Sequence, residues 1–262
     1  MNNEKIFLIN EDSKEEIKID SNMNVKIIVG KNSEVRVTDT SDSNVNILVG
    51  ENSKVNYLSI KNENSENLSI KKAEVERDGK INWLECCLGS GITKSIIRTE
   101  LIGEGSESES FGVIFGSNKE IFDIKNEVIH IGNRSKSNML TRVVLDKEAR
   151  ANYNGLIKVN SNARGCEGYQ KKETILLSDD AKIDAVPNLE IENNDVRCSH
   201  GATISQIDEG KLFYMQSRGI DEKSAKRTII EGFFDPILVT IDDPELKESI
   251  KNSISKRLGA IK

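Results

Sequence analysis

Two segments, "NVKIIVGKNSEVRV" (Asn24 to Val37) and "NVNILVGENSKVNY" (Asn44 to Tyr57), are identical at eight of fourteen positions when set twenty residues apart. Each has a short β run, a Gly-x-Asn-Ser turn (Gly30 to Ser33, Gly50 to Ser53) and a second β run. A repeat this short cannot bury its own apolar face, so neighbouring copies must stack to supply the missing wall. Within a run the period is two: Val25, Ile27 and Val29 point one way, Lys26 and Ile28 the other. Twenty residues leave no space for a helix-containing repeat of the usual kinds. The pattern predicts a parallel β-helix. The same rhythm continues, with looser spacing, through "VNYLSIKNENSENLSIKKAEVERDGKINWL", "IIRTELIGEGSESESFGVIF" and "ILLSDDAKIDAVPNLEI".

After Thr203 the period changes. Ile207, Leu212, Phe213 and Met215 recur near helical spacing, with Gly219 placed as a C′ residue. A second helix is expected to start from Asp221 as N-cap and to bury Ala225, Ile229, Ile230 and Phe233. A third begins at "DDPELKESIKNSISKRL": Asp243 caps, Pro244 takes the first helical position, and Leu246, Ile250, Ile254 and Leu258 share a face. The expected organisation is a β-helix core domain over residues 1–204 and a small C-terminal α-helical domain over residues 205–262.

Composition narrows the function. Aromatic residues make up 5% of the 262, so the core must rest on Val, Ile and Leu. A net charge of −6 with interspersed Lys and Glu lacks the basic footprint of a nucleic-acid binder. "MNNEKIFLIN" has no apolar run of the signal-peptide kind and no later stretch is long enough to span a bilayer, so a cytoplasmic protein without a membrane partner is expected. In that compartment Cys86, Cys87, Cys166 and Cys198 would be core residues, metal ligands or reactive thiols rather than disulfides.

One of only two histidines, His200, follows Cys198 by two residues in "DVRCSHGAT". In a strand such residues share a face, roughly 7 Å apart along the backbone. Thiolate and imidazole together suit iron–sulfur clusters, zinc or copper. Two ligands do not complete a site, whereas two copies of the strand would supply four. A packed thiol and a hydrogen-bonded imidazole at a strand end account for the same spacing.

The stretch "NLEIENNDVRCSHGATISQIDEGKLFYMQSRGIDEKSAKRTIIEGFFDPIL" resembles the C-terminal signature of the SufB/SufD family of iron–sulfur cluster assembly proteins. The matching runs are Pro187 to Ile191, Asp195 to Thr203 and Leu212 to Ile220, with weaker similarity back through "VIHIGNRSKSNMLTRVVLDKEARANYNGLIKVNSNARGCEGYQKKETILLSDDAKIDA". The resemblance implies a right-handed parallel β-helix followed by a helical domain. It further implies a transient iron–sulfur cluster with Cys198 and His200 as candidate ligands. It implies docking of a SufC-like ABC ATPase near Ser217, Arg218, Gly219 and Ile220, and pairing with a second SufB/SufD-like protein. The chain is shorter than typical members and lacks the N-terminal cysteine cluster of many SufB proteins. Its "CSHGAT" is nearer the SufD form, and its brevity favours a homodimer flanked by two ATPase subunits.

Other candidates follow from the residues. Leu212, Phe213 and Phe233 are either plain core or, with Tyr214, an extension of the docking surface. Sulfur from a cysteine desulfurase-derived donor needs an acceptor thiol, best as an exposed thiolate beside a cation. Cys86 and Cys87 are adjacent in a strand, so at most one is expected in the core; Cys166, after Arg164 and between glycines, is the better placed. His130 is expected to be hydrogen-bonded at a turn. "GSGITKS" (Gly89 to Ser95) lacks the Gly-Lys-Ser/Thr order of a phosphate loop, so nucleotide chemistry belongs to a partner and the chain is read as a scaffold, not an enzyme. The competing readings are a structural or regulatory partner of the ATPase without cluster ligation, and a carbohydrate-active β-helix enzyme. Aromatic poverty speaks against the latter.

Overall fold

The computed structural model describes residues 4–61, 68–89, 91–241 and 243–259. Eight coils of two strands follow one another. β1 (Glu4–Ile9) and β2 (Lys14–Ile19) form the first, β3 (Asn24–Val29) and β4 (Glu34–Asp39) the second, β5 (Asn44–Val49) and β6 (Lys54–Lys61) the third. Then come β7 (Leu68–Val75) with β8 (Lys80–Cys87), β9 (Ile92–Leu101) with β10 (Glu107–Gly116), and β11 (Ile121–His130) with β12 (Lys136–Leu145). β13 (Arg150–Val159) with β14 (Cys166–Leu176) and β15 (Lys182–Ile191) with β16 (Val196–Gln206) complete the stack. Odd strands form one eight-stranded sheet and even strands the other, and every pairing is parallel, as between β1 and β3 or β14 and β16. This is the expected parallel β-helix.

The Gly-x-Asn-Ser corner explains why the repeat is so strict. A Cβ on Gly50 would stand 2.5 Å from the Val29 carbonyl oxygen of the coil below, closer than any side chain tolerates. Asn32 and Asn52 turn the corner with φ of 55°, a left-handed conformation to which Asn is well suited. Their amides stack as a ladder, Asn52 Nδ2 donating to Asn32 Oδ1 at 2.9 Å and Asn32 Nδ2 to Asp12 Oδ1 at 3.1 Å. Ser33 and Ser53 each donate to a backbone carbonyl of the preceding coil, at Asn10 and Gly30.

The coils grow along the chain. Glu4 pairs with Asn24, twenty residues on, and Arg150 pairs with Lys182, thirty-two on. Strands lengthen from six residues in β1 to ten in β13. The narrow coils are filled by single apolar rows such as Val25, Ile27 and Val29. In the wide coils two apolar clusters occupy the interior, one around Val128, Met139 and Ile157, the other around Phe122, Val143 and Leu145. Between them on these strands lie buried polar residues, including Asn126 and Thr141.

The helices α1 (Glu209–Ser217), α2 (Glu222–Leu238) and α3 (Pro244–Gly259) follow β16. Asp208, Asp221 and Asp243 accept hydrogen bonds from Lys211, Ser224 and Leu246 backbone N–H groups at the three helix starts. The α2–α3 pair folds back on the outer face of the even sheet, where Ile230, Phe234, Ile250 and Ile254 join Leu58, Cys86, Phe115 and Val144 in one cluster. Phe234, rather than Phe233, is the fully buried aromatic of α2. Arg257 anchors α3 by donating to the Leu88 carbonyl at 2.6 Å and pairing with Glu120.

This return of the chain corrects one expectation. Cys86 and Cys87 do point to opposite faces of β8, yet both are fully buried. Cys87 enters the interior, and Cys86 is covered by the helical tail.

Candidate functional site

The last coil leaves one end of the stack open. β15 and β16 each close their sheet at that end, so among the described residues their outer edges have no strand partner. β16 carries Val196, Cys198, His200 and Ala202 on one row by strand alternation. Val196 and Cys198 pack against the interior apolar cluster, while His200 and the residues after it are exposed.

Cys198 is half-buried because its neighbour in register is Gly168. A Cβ at Gly168 would lie 3.3 Å from Cys198 Sγ and 3.0 Å from an Ile157 methyl, so the missing side chain makes room for the thiol. Burial pushes the Cys198 thiol up, partly offset by hydrogen bonding from the Gly168 backbone. Ionisation is therefore held back until something displaces the proton. His200 lies beside Gln170, and Ala202 beside Lys172. Among the described residues no group of three or more His, Cys, Asp or Glu side chains is arranged to hold a metal ion.

The expected sulfur acceptors are far less accessible. Cys166 is fully buried. Its thiol lies 3.4 Å from Ser135 Oγ, which meets His130 Nδ1 at 2.8 Å. His130 Nε2 in turn meets Ser137 Oγ at 2.8 Å. The histidine is thus fully engaged, as expected, but inside the coil stack rather than at its surface. Burial brings its pKa down to about 4, partly offset by hydrogen bonding at Ser135. Burial also pushes the Cys86 and Cys87 thiols up, the neighbouring Glu85 adding to both. All three thiols are shut away from solvent, unlike the exposed acceptor that sulfur transfer favours.

The candidate docking residues fall into two groups. Phe213 and Tyr214 on α1 are 72% and 60% exposed, and α1 has no fully buried residue. Ser217 Oγ donates to the Tyr214 carbonyl at 2.7 Å, and the Arg218 guanidinium stands over the Tyr214 ring at 5.3 Å. Gly219 turns the chain with φ of 87°, and Ile220 is exposed. Leu212 is half-buried on the same helix. Phe233 lies apart, on α2, with the Arg142 guanidinium 4.9 Å over its ring. Ser90 of the glycine-rich stretch lies outside the described residues.

Three lysines among the described residues are buried, Lys61, Lys71 and Lys172. Lys71 Nζ pairs with Glu85 at 3.0 Å; burial would push Glu85 up, but Lys71 and Lys61 hold its carboxyl below the ordinary range. Lys172 has no such partner among the described residues, and burial brings its pKa down to about 7. Strand alternation alone would have placed Lys71 and Lys172 inside.

Residues 11–233 match the family described as "SUF system FeS cluster assembly, SufBD core domain". The match reaches far into the first half of the chain, well before the runs that carry the resemblance in the sequence. An iron–sulfur cluster assembly SufBD family protein of Mycobacterium leprae is 31% identical over 183 residues, covering 69% of this chain and 21% of that protein. A SufBD family protein of Staphylococcus epidermidis is 28% identical over 182 residues, 69% of this chain and 39% of the relative. The iron–sulfur cluster assembly protein SufD of Bacillus subtilis is 29% identical over 182 residues, 70% of this chain and 42% of the relative. The matched segment thus spans between about a fifth and two fifths of these relatives. Among the described residues no helix is long and apolar enough to cross a membrane.

Proposed function

The chain belongs to the SufB/SufD family of iron–sulfur cluster assembly proteins, and from that premise we propose that it is a cytoplasmic assembly scaffold, not an enzyme, that holds a nascent cluster as cargo at its open end. The observation that carries this reading is the placement of Cys198 and His200 on one row of the last strand, beside an edge with no strand partner. One chain offers one thiol and one imidazole there. A second SufB/SufD-like chain, in the simplest case a copy of this one, meeting it end to end brings the set to four.

The chemistry of the pair fits transient holding. Iron binding to Cys198 requires loss of the thiol proton, which burial resists. Uptake therefore depends on the metal to drive deprotonation, and reprotonation favours release. The exposed face of α1, with Phe213 and Tyr214, is the docking surface for a SufC-like ABC ATPase, to which nucleotide binding belongs. Sulfur arrives from a cysteine desulfurase-derived donor.

The packing of Cys198 over Gly168 favours a second reading, in which the thiol is a core residue and the chain is a structural partner of the ATPase. Anaerobic reconstitution with iron and sulfide, with absorbance and iron counting, separates the two. Wild type is expected to take up a cluster, and Cys198→Ser and His200→Ala to lose it while still capturing the ATPase. Equal cluster content in all three proteins, or no iron in wild type with the ATPase present, would overturn the scaffold reading.

A further inference from the structure

The fold neutralises its other buried lysines and leaves Lys172 alone. Lys71 meets Glu85 and Lys61 meets Asp42, each pair within the coil stack. Lys172 is 1% exposed, and its Nζ has no hydrogen-bond partner among the described residues. What it does meet is the face of the Tyr153 ring, 5.0 Å from the ring centre. The acid that acts on it electrostatically, Asp184, is on the exposed side of β15.

Its neighbours on β14 share the condition. Gln170 is 3% exposed, and its amide faces the Tyr153 hydroxyl in a loose contact, with no well-formed hydrogen bond among the described residues. Thr174 Oγ1 is buried and unpartnered as well. Alternate residues of a strand face the same side, so Gln170, Lys172 and Thr174 line one stretch of the interior. Small residues let these side chains pack closely against their neighbours. A Cβ on Gly155 would fall 1.7 Å from the Gln170 amide nitrogen, and Ala202 of the last coil lies beside Lys172 in register. Buried polar atoms of this kind are ordinarily satisfied, by protein, water or ligand. Beside a buried ammonium, such a row of donors has the chemistry to hold an anion.

We propose that Lys172, with the Gln170 amide and the Thr174 hydroxyl, forms a binding site for a small monovalent anion directly beneath the last coil. One cation calls for one negative charge, and the remaining donors are neutral. The Tyr153 ring and the apolar clusters on either side exclude much water, which disfavours strongly hydrated dianions such as sulfate. If the assembly reading holds, the physiological occupant is hydrosulfide, one coil from Cys198 and His200; the site itself does not depend on that reading.

Bromide is the probe, because it scatters anomalously and does not react with thiols. Crystals of the full chain soaked in sodium bromide should show an anomalous peak within hydrogen-bond distance of Lys172 Nζ. In solution, bromide should raise the melting temperature saturably, and by more than it does in Lys172→Met at equal ionic strength. Lys172→Met should abolish the peak and weaken the solution response by about tenfold or more, the loss expected for a hydrogen bond to a charged group. Lys172→Gln serves as the second uncharged variant should the Met protein not fold. No peak at Lys172, or an equal melting response in the variant, overturns the site. The sulfide link is tested in Cys198→Ser protein, where sodium hydrosulfide should displace bromide. Failure to displace it overturns that link alone. Neither outcome bears on cluster ligation, which the reconstitution reads separately.

Discussion

Lys71 and Lys172 make the same substitution go in opposite directions. Lys71→Met strands the buried Glu85 carboxylate without its closest cation, and a loss of about 3–5 kcal/mol is expected in urea unfolding at pH 7. Lys172→Met removes an unpaired ammonium and should stabilise the chain at the same pH by about 2 kcal/mol or more. Between pH 7 and 10.5 the unfolded chain holds a proton on Lys172 that the folded chain gives up. Wild-type stability from this group therefore rises with pH across that window, and the Met variant should lack the rise. His130 acts at the acid end. With its pKa at about 4 when folded against 6.5 when free, the unfolded chain alone takes up the proton as pH falls below 6.5. Its contribution of about 3 kcal/mol is complete above that pH and lost on approaching 4. His130→Asn should flatten this part of the wild-type stability–pH curve, measured by denaturation at pH 7 and 5. Cys198 and His200 were legible as a pair because i and i+2 share a strand face. Gly168, which seats the Cys198 thiol, was not, because it lies thirty residues earlier and meets Cys198 through coil register alone.

At the scale of the element, the Gly-x-Asn-Ser corner and the Asp221 and Asp243 caps could be read directly, because each uses only nearby backbone geometry or the coil before it. What sequence could not reveal was where the helical tail lands. Its return onto the even sheet buries Cys86 and pins Phe233 against Arg142, contacts that join residues about a hundred positions or more apart. The same return leaves α1 unburied. Phe213→Ser and Tyr214→Ser, made together, should therefore change the melting temperature by no more than about 2 °C, since exposed sites carry little stability. They should abolish capture of a SufC-like ATPase in a pull-down. Capture undiminished would place the docking surface elsewhere.

At the scale of the molecule, the described stack is narrow at one side and wide at the other. The first coil offers edges of six residues in β1 and in β2, the last offers ten in β15 and eleven in β16. Exposed strand edges invite pairing with other chains, and a molecule with complementary ends would polymerise. Here a head-to-tail joint would match six residues with ten or eleven and strand the remainder, including backbone groups near His200. Wide end to wide end, related by a two-fold axis, every residue has a counterpart of equal reach, and the joint closes on itself. Sedimentation at rising concentration should accordingly level off at two chains instead of climbing without limit. In the proposed pairing the growing coil length gives the described stack a direction, and a wide joint, once made, leaves no second wide edge to extend it.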